Sequence, residues 1–156
     1  MLWPLKRQGF TILEILFVVA IMALVVTIIT FSLSKLNASQ ALDKSATLVI
    51  SILDEARSLT LSSKNDSQYG VYFEDSQLTL FQGATYSSSD PANVVTSLHS
   101  LVGLRNVTLS GGGTSVVFKR LTGNTDETGT VEVFLKASPA SFYTITISVT
   151  GIVELD

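Results

Sequence analysis

The chain has 156 residues, 46% of them apolar, and a net charge of −3. That length suits one globular core with an attached segment and excludes two full-sized domains. The absence of cysteine, with His99 as the single histidine, excludes disulfide staples, a Cys nucleophile and a zinc site of His and Cys ligands, and the acidic balance argues against a nucleic-acid binder.

Residues 1–9, MLWPLKRQG, carry Lys6 and Arg7 and no acid. From Phe10 to Ser34 the sole ionisable residue is Glu14, with neither Pro nor Gly to interrupt the run. A helix of about 22 residues rises roughly 33 Å, enough to cross a hydrocarbon core. The basic pair ahead of the run places the N-terminus in the cytoplasm and the rest outside.

Three readings fit this segment. A secretory signal peptide would end at a small-residue site such as Ala38-Ser39-Gln40-Ala41. A plain membrane anchor would need only the apolar run. Neither explains a carboxylate in the span, where an acid is costly and marks function. In the third reading the chain is cut after Gly9, which gives Phe10 a free amine and makes Glu14 the fifth residue. The Glu14 carboxylate of one chain then pairs with the terminal amine of a neighbour and sets their axial register.

Residues 6–31 resemble the type III signal of type IV pilins and pseudopilins: a basic leader, then Gly9-Phe10-Thr11-Ile12-Leu13-Glu14 and a long apolar helix. The resemblance implies cleavage between Gly9 and Phe10 by a prepilin peptidase, N-methylation at Phe10 by the same class of peptidase/methyltransferase, and an assembly role for Glu14. Major pilins often carry a Pro within this span. Here Ala23 and Phe31 stand in that region and the first Pro after the leader is Pro91, which points to a minor subunit.

The helical pattern continues past the apolar run. Leu42, Ala46, Val49, Leu53, Ala56 and Leu59 or Thr60 recur at spacings of three and four, with Asp43, Lys44, Asp54, Glu55 and Arg57 mostly off that stripe. The spacing predicts one amphipathic helix that ends at the polar Ser62-Ser63-Lys64-Asn65-Asp66. Strands are predicted at Tyr69–Phe73 and Leu78–Phe81, a hairpin turned at Glu74-Asp75-Ser76. A polar loop follows over 83–93. Val94 to Leu104 reads as a strand and then a turn. Asn106–Leu109 and Ser115–Lys119 flank Gly111-Gly112-Gly113 as a second hairpin, and Thr130–Leu135, Tyr143–Val149 and Ile152–Leu155 complete the strands. In the Tyr143–Val149 segment Tyr143, Ile145, Ile147 and Val149 share one face.

This gives an α+β fold: one long N-terminal helix packed on two small antiparallel sheets. The predicted organisation is a cleaved leader (1–9), a transmembrane helix (10–34), its amphipathic continuation (35–64) and a β-rich head (65–156). The head resembles the GspH/FimT minor pseudopilins in Leu53-Asp54-Glu55-Ala56-Arg57, Tyr69-Gly70-Val71-Tyr72-Phe73, Val116-Val117-Phe118 and Thr150-Gly151-Ile152-Val153. Related chains often place a basic residue after the last Gly, where Ile152 stands. The resemblance implies a pilin-like fold, no catalysis and no cofactor. It also implies other pilin or pseudopilin subunits and an inner-membrane assembly platform as partners, and residence in membrane lipid before assembly into a filament outside.

Little in the head carries chemistry. His99, between Leu98 and Ser100, has no second His or Cys to share a metal, and no G-x-S-x-G marks a serine. The loop from Gly123 to Gly129 gathers oxygen donors at Asn124, Asp126 and Glu127, a weak calcium candidate whose spacing misses the EF-hand pattern. A DNA- or surface-binding tip subunit is the alternative. Its best residues are the adjacent Lys119 and Arg120, but residues 35–156 hold eight Lys/Arg against twelve Asp/Glu, a net −4.

Overall fold

The computed structural model describes residues 10–156, the side chains of residues 31–34 apart. Gly9 and the rest of the predicted leader lie outside the described residues. Helix α1 runs Ile12–Leu61 and is followed by eight strands: β1 Tyr69–Glu74, β2 Gln77–Gln82, β3 Val94–Ser97, β4 Val102–Leu109, β5 Ser115–Val117, β6 Gly129–Leu135, β7 Ser138–Ile147 and β8 Val153–Leu155. The chain divides into two compact units, one ending at Asn37 and one spanning Ala38–Asp156.

In the first unit every described side chain from Phe10 to Thr30 is exposed. The helix there is apolar on all sides, which is the pattern of a segment that lipid or other helices must cover. It is long and apolar enough to cross a membrane. Its threonines do not leave hydroxyls unmet: Thr27 and Thr30 donate to the carbonyls of Ala23 and Val26, each at 2.8 Å.

The second unit has its own core. The predicted helical stripe is buried, with Ala46, Val49, Leu53, Ala56 and Thr60 all at 0% exposure. It packs with Val71, Phe73, Leu78 and Val116 of one sheet and Val102, Val131, Val133, Ile145 and Ile147 of the other. Thr60 is the polar member of the stripe. Its hydroxyl donates to Ala56 carbonyl at 2.8 Å and accepts the Tyr69 N–H at 2.9 Å, so the end of α1 fixes the start of β1 without an unmet polar group. Tyr143 on β7 donates its hydroxyl to Asp43 of the helix at 2.9 Å, and this bond raises the Tyr143 pKa.

The first sheet has the order β3-β2-β1-β5 and the second β4-β6-β7-β8, all neighbours antiparallel. The β1–β2 turn joins them: Asp75 carbonyl accepts the N–H of Leu104 on β4 at 2.8 Å. On the outer face of the first sheet the Phe81 ring crosses Gly70. A Cβ on Gly70 would lie 2.6 Å from both the ring and the Val116 carbonyl. Tyr86, from the 83–93 loop, stacks on Tyr72 at 4.0 Å and meets Phe81 edge-on, so this loop is pinned over the sheet by aromatic contacts.

The structure corrects the strand reading in three places. Val94 to Leu104 holds two strands: β3 and the start of β4 lie in different sheets, separated by a turn in which Val102 N–H donates to His99 carbonyl. The Gly111–Gly113 turn exists, but the strands it joins are not partners, because β4 pairs with β6 and β5 pairs with β1. Val149 is not on the strand face. β7 ends at Ile147, and the Ser148–Gly151 turn leaves Val149 60% exposed. β4 also carries a bulge between Arg105 and Thr108, where Asn106 takes φ 49°, a left-handed conformation that Asn tolerates.

Candidate functional site

The helix begins where the sequence supplies a cap. Thr11 precedes α1, and its hydroxyl accepts the Glu14 N–H at 3.2 Å while its carbonyl accepts the Ile15 N–H. The Thr-x-x-Glu spacing is a capping-box pattern, and an acid in the first turn also suits the helix dipole. This local role of Thr11 and Glu14 is a signal that spacing alone could have found. It does not use up Glu14. The carboxylate is exposed on an apolar helix and has no ion-pair partner among the described residues. Phe10, at 78% exposure, precedes the cap.

In the head, the two cations of the nucleic-acid candidate are each held by an acid. Lys119 Nζ lies 2.6 Å from Asp126. Arg120 pairs with the Asp66 carboxylate and donates to its carbonyl at 2.9 Å. Two of the three candidate side chains of the 123–129 loop, Asp126 and Glu127, are likewise engaged within the protein, and the backbone carbonyl of Asn124 accepts the Lys119 N–H at 2.7 Å. Glu127 accepts the buried Thr125 hydroxyl at 2.9 Å and the Val117 N–H at 3.3 Å. Asp126 and Glu127 thus turn to different partners, and no group of three or more His, Cys, Asp or Glu gathers among the described residues. His99 is exposed, its Nδ1 accepting the Leu101 N–H at 3.2 Å in a turn.

The end of α1 is tied to this loop region by Arg57, whose Nε donates to Gly123 carbonyl at 3.3 Å. Gly151 packs on the same carbonyl so closely that a Cβ would lie 2.0 Å from it. Ile152 follows, 49% exposed. On the outer face of the second sheet, the Arg105 guanidinium lies 4.7 Å from the Phe134 ring centre and 5.2 Å from that of Phe142, and pairs with Glu132 at 2.7 Å. Hydrogen bonds from Asn106 and then Arg105 hold the Glu132 carboxyl below the usual carboxylate range. This cluster is closed on itself and gives sequence reasoning no warning, since its members lie on three strands.

A cleft of about 210 Å³ opens beside the last turns of α1, lined by Glu55, Leu59, Lys64, Tyr69, Phe81 and Val94 among others. No nucleophile, base and oxyanion donor converge in it.

Residues 4–30 match the prokaryotic N-terminal methylation motif. No curated protein sequence matches the chain. Two solved structures share its fold. The type IV minor pilin FimU of Pseudomonas aeruginosa is 15% identical with a TM-score of 0.56, covering 74% of this chain and 92% of that one. The minor pseudopilin EpsH from the type 2 secretion system of Vibrio cholerae is 18% identical with a TM-score of 0.55, covering 74% and 95%. The expected α+β fold, one long helix and two small antiparallel sheets, is the one observed. The chain thus carries a prokaryotic N-terminal methylation motif, and its fold is the one seen in these minor pilin and minor pseudopilin structures.

Proposed function

We propose that the chain is a structural, non-catalytic subunit of a type IV pilus or type II secretion pseudopilus. A peptidase/methyltransferase cuts it after Gly9 and methylates the new amine of Phe10. The mature chain sits in the inner membrane as a single span, N-terminus inside and head outside, until the assembly platform draws it into a filament with other pilin-like subunits. The observation that carries this reading is Glu14: one exposed carboxylate on an all-apolar helix directly after a methylation-type leader. In lipid such a charge needs a partner, and the amine released by cleavage supplies one on a neighbouring chain.

The test is Glu14→Val. Its expected outcome is normal membrane insertion and normal leader removal with loss of the chain from sheared filaments. Unchanged incorporation would sink the pairing argument. The DNA-binding alternative is not favoured, because Lys119 and Arg120 are neutralised by Asp126 and Asp66, which leaves little charge for phosphate contacts.

A further inference from the structure

The two sheets have four edge strands, and three of them are guarded. In antiparallel pairs alternate residues turn their N–H and C=O groups to the partner and away from it. On β4 the outward residues are Val102 and Leu104, whose N–H groups donate to the His99 and Asp75 carbonyls. On β5 the outward Val117 N–H donates to the Glu127 carboxylate at 3.3 Å. β8 is three residues long and carries acid at Glu154, with Asp156 just beyond, a short, charged edge of the kind that resists pairing.

β3 is different. Leu98 N–H donates to Ser76 carbonyl at 2.9 Å, and the register pairs Thr96 with Leu78 and Val94 with Leu80. Val94 and Thr96 therefore bond to β2, and the backbone groups of Val95 and Ser97 point away from the sheet. No hydrogen bond among the described residues takes them. No bulge interrupts the β2–β3 pairing, and no Asp, Glu, Lys or Arg lies between Asp90 and Arg105. Val94 and Val95, on opposite faces, are each 55% exposed. An edge with free backbone groups and apolar side chains on both faces is a template for an added strand. Such a strand also has a place for its side chains. Val94 lies on the same face as its buried partner Leu80 and lines the cleft of about 210 Å³ with Leu59 and Glu55. A strand laid along β3 extends the sheet over that cleft and turns every second side chain into it.

The surrounding charge selects the strand. Glu55 lines the cleft, and Asp75 sits beside the Ser76–Leu98 bond at one end of β3. Asp90 sits in the turn before the other end, its carboxylate also accepting the Ala92 N–H at 2.9 Å. None of the three joins an ion pair among the described residues. Lys64 is the one base that lines the cleft. Three acids around one base favour an extended segment with basic residues at its ends. They disfavour a second copy, because β3 set against β3 brings acids together at both ends.

We infer that β3 takes up, as an added strand, an extended segment of a different subunit, alternately apolar and flanked by lysine or arginine. The inference rests on the filament reading, which supplies unlike subunits side by side. The probe is a synthetic peptide of alternating valine and threonine with lysines at both ends, added to the full chain in detergent. The expected result is slowed amide exchange at Val95 and Ser97, with Thr96, already bonded to β2, unchanged. The same peptide with glutamates in place of the lysines should bind about tenfold more weakly. Val95→Pro removes one outward N–H, which an edge strand tolerates, so it should abolish peptide binding without moving the urea midpoint. Ser97→Pro makes the same test should that midpoint fall. In producing cells the proline variant should be inserted and processed but lost from sheared filaments. Unchanged exchange at Val95 and Ser97, or equal binding of the two peptides, would overturn the proposal. Protection of these amides that rises with chain concentration, with no peptide present, would assign the edge to a second copy and overturn it too. A proline variant retained in filaments at the parent level would overturn the contact and leave the filament reading standing. A parent chain absent from filaments with its leader intact would overturn both.

Discussion

Helix α1 solves two different problems along its length. From Phe10 to Thr30 no described side chain is buried, and apolar residues occupy every side. From Ala41 to Thr60 a single stripe is buried and the other face is polar. The same secondary structure therefore draws on different sources of stability. The head segment buries its stripe on its own sheets, whereas the side chains from Phe10 to Thr30 bury against none of the described residues, the pattern of a helix that lipid or other helices would cover. A chain built in this way keeps the stability of its head separate from the forces that would assemble it.

That separation is open to attack, and the largest effect is expected at the core stripe. Leu53→Ala, at 0% exposure, should cost about 2–5 kcal/mol, read as a lower urea midpoint of the full chain in detergent. Leu16→Ala, at 66% exposure, should leave that midpoint unmoved. Equal shifts from the two would break the contrast. Gly70→Ala comes next, because the added methyl meets the Phe81 ring and the Val116 carbonyl at 2.6 Å. The expected loss is about 1–3 kcal/mol, and a neutral result would show that Phe81 and its covering loop move freely. The smallest effect is expected at Glu132, whose folded pKa lies below its unfolded value. The stability it contributes is complete above the unfolded pKa and is lost as pH falls through the folded one. Glu132→Gln should therefore be less stable than the parent near neutral pH, and the two unfolding curves should converge in acid. Parallel curves at all pH values would remove this role from the Arg105–Glu132 pair.

What the sequence reveals follows from the range of the interactions. The helical stripe and the apolar span are periodic over many residues, so Leu42 through Thr60 and the run after Phe10 are readable directly. The turn at Gly111–Gly113 is readable from glycine alone, but the pairing of its flanks is not, because the partners of β4 and β5 lie elsewhere in the chain. The alternation from Tyr143 continues to Val149 in the sequence, and nothing in it shows that the chain turns after Ile147. The site behaves in the same way. Glu14 stands out because its surroundings are uniformly apolar. Lys119 and Arg120 look like free cations until the fold brings up Asp126, seven residues away, and Asp66, fifty-four residues away. The Thr11–Glu14 cap lies within one helical turn and is legible from spacing alone.

The central claim is that the apolar segment of α1 is an assembly device created by processing. The mass of the N-terminal peptide of the chain, isolated from cells that produce it, tests this most directly. The account predicts a mature chain that begins at N-methyl-Phe10. A chain with its leader intact, or one cut near Ala41, would contradict it.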